Sequence, residues 1–154
     1  MSRAAPSSDA ASGEGRVAWK VMACMASASP HAATLLRRGS RLAGRLNTDW
    51  YVVYVETPRE APNLIDAEAQ RRLHQNVALA KELGAEVVHL QAHDPVATLL
   101  DFARSHRVGH LMIGRTEGRT LQRLLRRDVM SRIIDEASGL DVHIVSFQDP
   151  GTRA

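Results

Sequence analysis

Five short apolar runs rich in β-branched residues punctuate the chain: Val17–Met25, Trp50–Val55, Glu86–Leu90, His110–Ile113 and Val142–Phe147. Between them the apolar residues recur at three- and four-residue steps, the period of a helix face. Ser29-Pro30 supplies a cap and first turn for a first helix, with Leu35, Gly39, Leu42, Ala43 and Leu46 as its stripe. Leu73, Val77 and Ala80 mark a second helix, which Gly84 closes. Asp94-Pro95 opens a third, where Val96, Leu99, Leu100 and Ala103 follow the i, i+3, i+4, i+7 rule. A fourth is predicted from Arg119 to Ala137, with Leu121, Leu125, Val129 and Ile133 inward and Gly139 at its end. Strands alternating with helices predict an α/β domain with a mainly parallel sheet, because each helix serves as the crossover a parallel neighbour needs.

A chain of 154 residues fits one such domain. Residues 1–15 are rich in Ala, Ser and Gly without apolar period and are expected to form a flexible leader, with the folded domain over 16–147 and a flexible tail over 148–154. No run approaches the roughly 20 apolar residues that span a bilayer, and the N-terminus lacks the apolar core of a secretory signal. A cytoplasmic location without membrane insertion is therefore expected. The only cysteine, Cys24, lies inside an apolar run, which excludes a disulfide framework and fits a small buried strand residue. Net charge is +3, a bias too small to indicate nucleic acid, and an aromatic content of 4% offers no stacking platform for single strands.

In open α/β sheets ligands meet the carboxyl ends of strands. That rule selects Ala26–Ser29, Glu56–Pro58, Gln91–Asp94 and Gly114–Thr120. The run Trp50 to Val55 carries no charge until Glu56, as a strand covered on both faces should, and then breaks into a proline-closed loop. Alternation puts Trp50, Val52 and Tyr54 on one face and Tyr51 and Val53 on the other. Gly114-Arg115-Thr116-Glu117-Gly118-Arg119-Thr120 has two readings. It is either an anion-binding turn, with backbone amides and two arginines for phosphate, or an ordinary glycine turn before a solvated basic helix. Gly109 to Thr116 has P-loop spacing with Arg115 in place of lysine, but its middle residues form the strand itself, so it is rejected. His89 and His93 straddle a strand end, His110 and His143 sit in separate strands, and no metal site is expected from them. Asp94 reads as a helix cap and Glu56 has no partner carboxylate for acid and base work.

Ser27-x-Ser29, the gap of about twenty residues, Trp50-Tyr51-Val52-Val53-Tyr54, Val55-Glu56-Thr57-Pro58 and Ala80-Lys81-Glu82-Leu83-Gly84-Ala85-Glu86 together resemble one family. The chain looks like the universal stress protein domain of KdpD-type osmosensitive potassium sensor kinases, over about Val17 to Val145. The resemblance implies a Rossmann-like three-layer sandwich with a five-stranded parallel sheet of order 3-2-1-4-5, and a nucleotide crevice between the loops after the first and fourth strands. It carries a cyclic di-AMP role to Ser27, Ser29, Trp50, Tyr51 and Tyr54, with Val55 shaping the base pocket and Gly114, Arg115, Thr116, Gly118 and Arg119 holding phosphate. ATP and AMP are the other candidate ligands. The superfamily's ATP pattern is met poorly, because Ala26 or a neighbour stands where the Asp belongs, Gly114 and Gly118 are one residue too far apart, and Arg127-Asp128 replaces the Gly-Ser pair. The kinase core is missing, so a non-enzymatic sensor or regulatory module is expected, standing alone or cut from a larger kinase. Its expected partners are a nucleotide, a signalling protein and a second copy through the last strand. The alternative is a degenerate pocket in a module that only docks or dimerises.

Overall fold

A computed structural model of the chain describes residues 19–58, 66–117 and 131–148, with 115–117 and 148 described by backbone alone. The elements run β1 (Lys20–Cys24), α1 (Ala32–Leu46), β2 (Trp50–Glu56), α2 (Ala67–Glu82), β3 (Glu86–Gln91), α3 (Pro95–Ser105), β4 (Val108–Glu117) and β5 (Asp141–Gln148). Residues 131–136, between β4 and β5, are helical. The sheet order is β3-β2-β1-β4-β5 and every pairing is parallel. The expected leader, the tail beyond Gln148 and most of the fourth helix, including Leu121, Leu125 and Val129, lie outside the described residues, while Gln148, expected in the tail, ends β5.

Two apolar clusters sandwich the sheet. Val21, Ala23, Trp50, Val52, Met112, Val145 and Phe147 meet Leu35, Leu36 and Ala43 of α1 and Ala80 of α2. The alternate positions Met22, Tyr51, Val53, Leu111 and Ile113 meet Val96, Leu99, Leu100 and Ala103 of α3, together with Ile133 and Ala137. The period of two along each strand thus divides the side chains between two helical layers. β1 is the central strand, and Val21, Met22 and Ala23 are wholly buried because both faces and both edges are covered.

Local chemistry sets the element ends. Asp66 caps α2 by accepting from the Ala69 N–H at 2.8 Å, and Asp94 caps α3 by accepting from Ala97 at 3.4 Å, with Pro95 in the first turn. Asn47 takes a left-handed conformation, φ 54°, and turns its N–H back to the carbonyls of Ala43 and Gly44 to end α1. Three sequence expectations shift. β1 is shorter than Val17–Met25, since Trp19 is not in a strand. α1 begins at Ala32 rather than at Pro30, with no side-chain cap at His31. β4 continues through Glu117 instead of stopping at Ile113, because β5 supplies ladder partners for Gly114, Arg115, Thr116 and Glu117.

Candidate functional site

The crossovers reverse direction at β1: β2 and β3 lie to one side of it, β4 and β5 to the other. The carboxyl ends of β1 and β4 therefore flank the topological switch point, where such sheets hold ligands. On the β1 side the chain leaves the sheet through Met25, whose N–H still donates to the Val53 carbonyl at 2.9 Å, and enters the loop Ala26–His31. Ser29 is buried, its N–H donates to the Ala26 carbonyl at 3.1 Å, and its hydroxyl oxygen accepts from the His31 N–H at 3.0 Å. Ser29 thus shapes the loop three residues ahead of the helix, rather than capping it.

The loop is also gripped from α2. Asn76 Nδ2 donates to the carbonyls of Ser27 and Ser29, both at 3.1 Å, and Arg72 Nη1 donates to that of Ala28 at 3.3 Å. Neither residue was singled out in the sequence. The signal was there for Asn76, which fills the missing i+3 place in the Leu73, Val77, Ala80 stripe and so is a polar residue at a core-facing position.

Tyr54 stands one residue past the last β1–β2 pair, Cys24 with Val53, and so beside the start of this loop. Its ring stacks on His89 at 4.7 Å with planes 8° apart, and His89 Nε2 lies 3.0 Å from the Glu56 carboxylate. Burial, then the Glu56 charge, pushes the Tyr54 hydroxyl above its ordinary value, so it is a neutral hydrogen-bonding group. Val55 points to the opposite layer, among the residues packed around α3. A cavity of ≈ 380 Å³ opens next to Glu56, lined by Thr57, Pro58, Gln91, Ala92 and His93. It lies at the exits of β2 and β3, one strand away from the switch point.

Trp50 is placed elsewhere. It opens β2 at the amino end of the sheet, 5% exposed, with its indole against Gly39 of α1. Four residues of extended chain, about 13 Å, separate it from Tyr54. Its ring fills the core and does not reach the Ser27–Ser29 loop. Tyr51 faces the α3 layer, edge-on to Phe102 and His106, with Lys20 Nζ 3.3 Å from its hydroxyl.

On the β4 side, Gly114 pairs with Val145, and a Cβ there would lie 2.4 Å from Phe147 Cε2. The Phe147 ring continues to His31, on which it stacks at 5.1 Å. The glycine therefore makes room for an aromatic ring, while Arg115 and Thr116 are strand residues paired with Ser146 and Phe147. Gly118 and Arg119 lie outside the described residues. His110 and His143 approach to 3.2 Å with Asp141 3.7 Å from His110, and among the described residues no group of three His, Cys, Asp or Glu could hold a metal ion. Cys24 packs on the α3 side, where burial pushes its thiol up to about 12 and leaves it protonated. Asp94, besides capping α3, takes both Nη atoms of Arg132 at 3.0 and 3.1 Å. No helix among the described residues is long and apolar enough to cross a membrane.

Comparison with known proteins places this geometry. The profile of the Universal stress protein family matches residues 19–146. The chain is 34% identical over 119 residues to the sensor protein KdpD of Escherichia coli, covering 77% of this chain and 13% of the sensor. It is 32% identical over 117 residues to the KdpD of Mycobacterium tuberculosis H37Rv, covering 76% and 13%. The matched region is thus a small part of these relatives. Among solved structures, a universal stress protein in complex with cAMP superposes with a TM-score of 0.61 at 21% identity, covering 84% of this chain and 98% of that one. The universal stress protein from Archaeoglobus fulgidus in complex with dAMP gives 0.60 at 21% identity, covering 82% and 97%.

Proposed function

This chain belongs to the universal stress protein family, and from that premise we propose that it is a non-enzymatic nucleotide-binding module that senses a ligand and alters a protein contact. Its relation to the KdpD sensors supports a role in potassium or osmotic signalling, at a cytoplasmic location and with a signalling protein as partner. The observation that carries the reading is the fixed Ser27–Ser29 loop beside Tyr54 at the switch point of the sheet. The Ser27 hydroxyl and the loop backbone would hydrogen-bond the nucleotide, and the neutral Tyr54 hydroxyl and the exit of β2 would border its base. Two of the solved relatives are complexes with adenine nucleotides, cAMP and dAMP, which favours an adenine ligand here. Phosphate contacts then fall to the chain beyond Glu117, where Gly118 and Arg119 follow the strand. Isothermal titration with cyclic di-AMP, ATP and AMP tests this, at protein concentrations that detect micromolar binding. Heat with at least one is expected, and none with any would sink the reading.

A second reading rests on the sheet edge. Among the described residues β5 is an outer strand, and Ile144 on it is 42% exposed, a large apolar residue on a strand whose outer edge can invite pairing. In this reading the module dimerises or docks through β5 without a nucleotide. Light scattering separates the two, since a monomer at high concentration that binds nucleotide excludes it.

A further inference from the structure

Asn76 is 9% exposed at a position its helix reserves for core residues. A buried amide is costly unless its donors are used, and here both bonds of Nδ2 go to the same short loop, to Ser27 O and Ser29 O. Arg72, one turn earlier, takes the carbonyl between them with Nη1 while Nη2 stays on Glu68 at 3.2 Å. Three consecutive carbonyls are thus held by side chains of α2. The loop itself is built from small residues, Ala26-Ser27-Ala28-Ser29, with little side-chain bulk to fix its shape. Within the loop, the Ser29 N–H donates to Ala26 O and the Ser29 hydroxyl accepts from the His31 N–H.

We infer that Asn76, assisted by Arg72, is a positioning residue that sets the fraction of molecules whose Ser27–Ser29 loop is ready to receive ligand, without touching the ligand itself. This rests on the nucleotide reading of the loop. A residue with that role acts before the encounter: loosening it lowers the receptive fraction, so the association rate falls while the dissociation rate of the formed complex is kept. A direct contact would instead change mainly the dissociation rate. A merely structural residue would change stability and leave both rates of the folded protein alone.

The test is Asn76→Leu, which keeps size, removes both donors and adds no charge, studied by stopped flow with N-methylanthraniloyl-labelled AMP and by amide hydrogen exchange without ligand. The association rate is expected to fall on the order of tenfold, the equivalent of two lost hydrogen bonds shared with water, with dissociation within about twofold. Exchange at the Ser29 N–H should rise by a similar factor. Unchanged rates, or a faster dissociation at constant association, would overturn the assignment. Should Asn76→Leu fail to fold, Arg72→Met at a partly exposed position serves instead, measured at high salt where charge steering is screened, with about a threefold fall in association expected and no change overturning it. If the wild-type protein binds none of the nucleotides, the functional reading fails by itself. The clamp is then decided by exchange alone, and unaltered Ser29 protection in the variant removes it.

Discussion

The six-membered ring of the Trp50 indole lies against Gly39 of α1, so close that a Cβ on this glycine would stand 2.6 Å from Trp50 Cζ3. Gly39→Ala gains helix propensity, worth about 1 kcal/mol, but drives a methyl into a buried, rigid ring. The clash wins, and a net loss of about 1–2 kcal/mol is expected in urea unfolding. Gly44, on the same helix, has nothing within 4 Å of its own added Cβ, so Gly44→Ala is expected to stabilise by about 0.5–1 kcal/mol. Opposite signs from two glycines five residues apart would be hard to obtain from any other docking of α1. Equal signs would mean that Trp50 does not pack on Gly39.

Gly114 and Phe147 make a similar pair inside the sheet. Gly114→Ala is expected to cost about 1–3 kcal/mol, and most of that loss should vanish in a Phe147→Leu background, where the ring edge is gone. A double-mutant cycle by thermal or urea unfolding measures the coupling. If the two losses simply add, Gly114 is serving something other than the ring.

Asp94 has its carboxyl held below the ordinary value of 3.8, first by the hydrogen bonds from Arg132 and then by the Ala97 N–H. Since the folded value is the lower one, the stabilisation is complete above that ordinary value and is lost as pH falls through the depressed one. Asp94→Asn keeps an acceptor for the cap and loses the charge. The variant's unfolding midpoint should therefore change less than that of the wild type below about pH 4. Carboxyl titration by NMR reads the Asp94 shift directly.

His143 loses stability in the same direction, towards acid, but by gaining an unfavourable charge instead of losing a favourable one. Its imidazole is held below 6.5, first by burial and then by His110, with Asp141 opposing. The unfolded chain takes up this proton first, so stability is full above 6.5 and falls as pH drops from there towards the lower folded value. His143→Gln should flatten the stability profile as pH falls below 6.5. An unchanged profile would show that the imidazole charges without penalty.

Much of this architecture is written in local pattern. The β2 run shows its period of two, Val96, Leu99, Leu100 and Ala103 show the α3 face, and Asp94-Pro95 opens α3 where a cap and proline should. The strand order came with the family resemblance, since periodicity carries no information on which strands adjoin. What failed to show in the sequence depends on contacts between distant residues. Gly114 reads as a turn until Phe147, from the next strand, is seen to need its missing side chain. Trp50 and Tyr54 look like parts of one motif, yet an extended chain carries them to different ends of the sheet. Asn76 shows in the sequence only as a polar residue on the apolar stripe of α2, and its role stays hidden because its partners, Ser27 and Ser29, lie far behind it in the chain.

The central place of β1 has a consequence for how the chain folds. Val21 must find Trp50 on one edge and His110 on the other, and the second partner belongs to β4, separated from it by two other strands and three helices. Closing so long a loop is a non-local event, which slows folding relative to a helical chain of this size. A ribosome that has released only the portion up to α3 exposes β1 with one open edge. The sheet's most buried strand is thus a docking edge for a chaperone, or for another nascent chain, until β4 emerges.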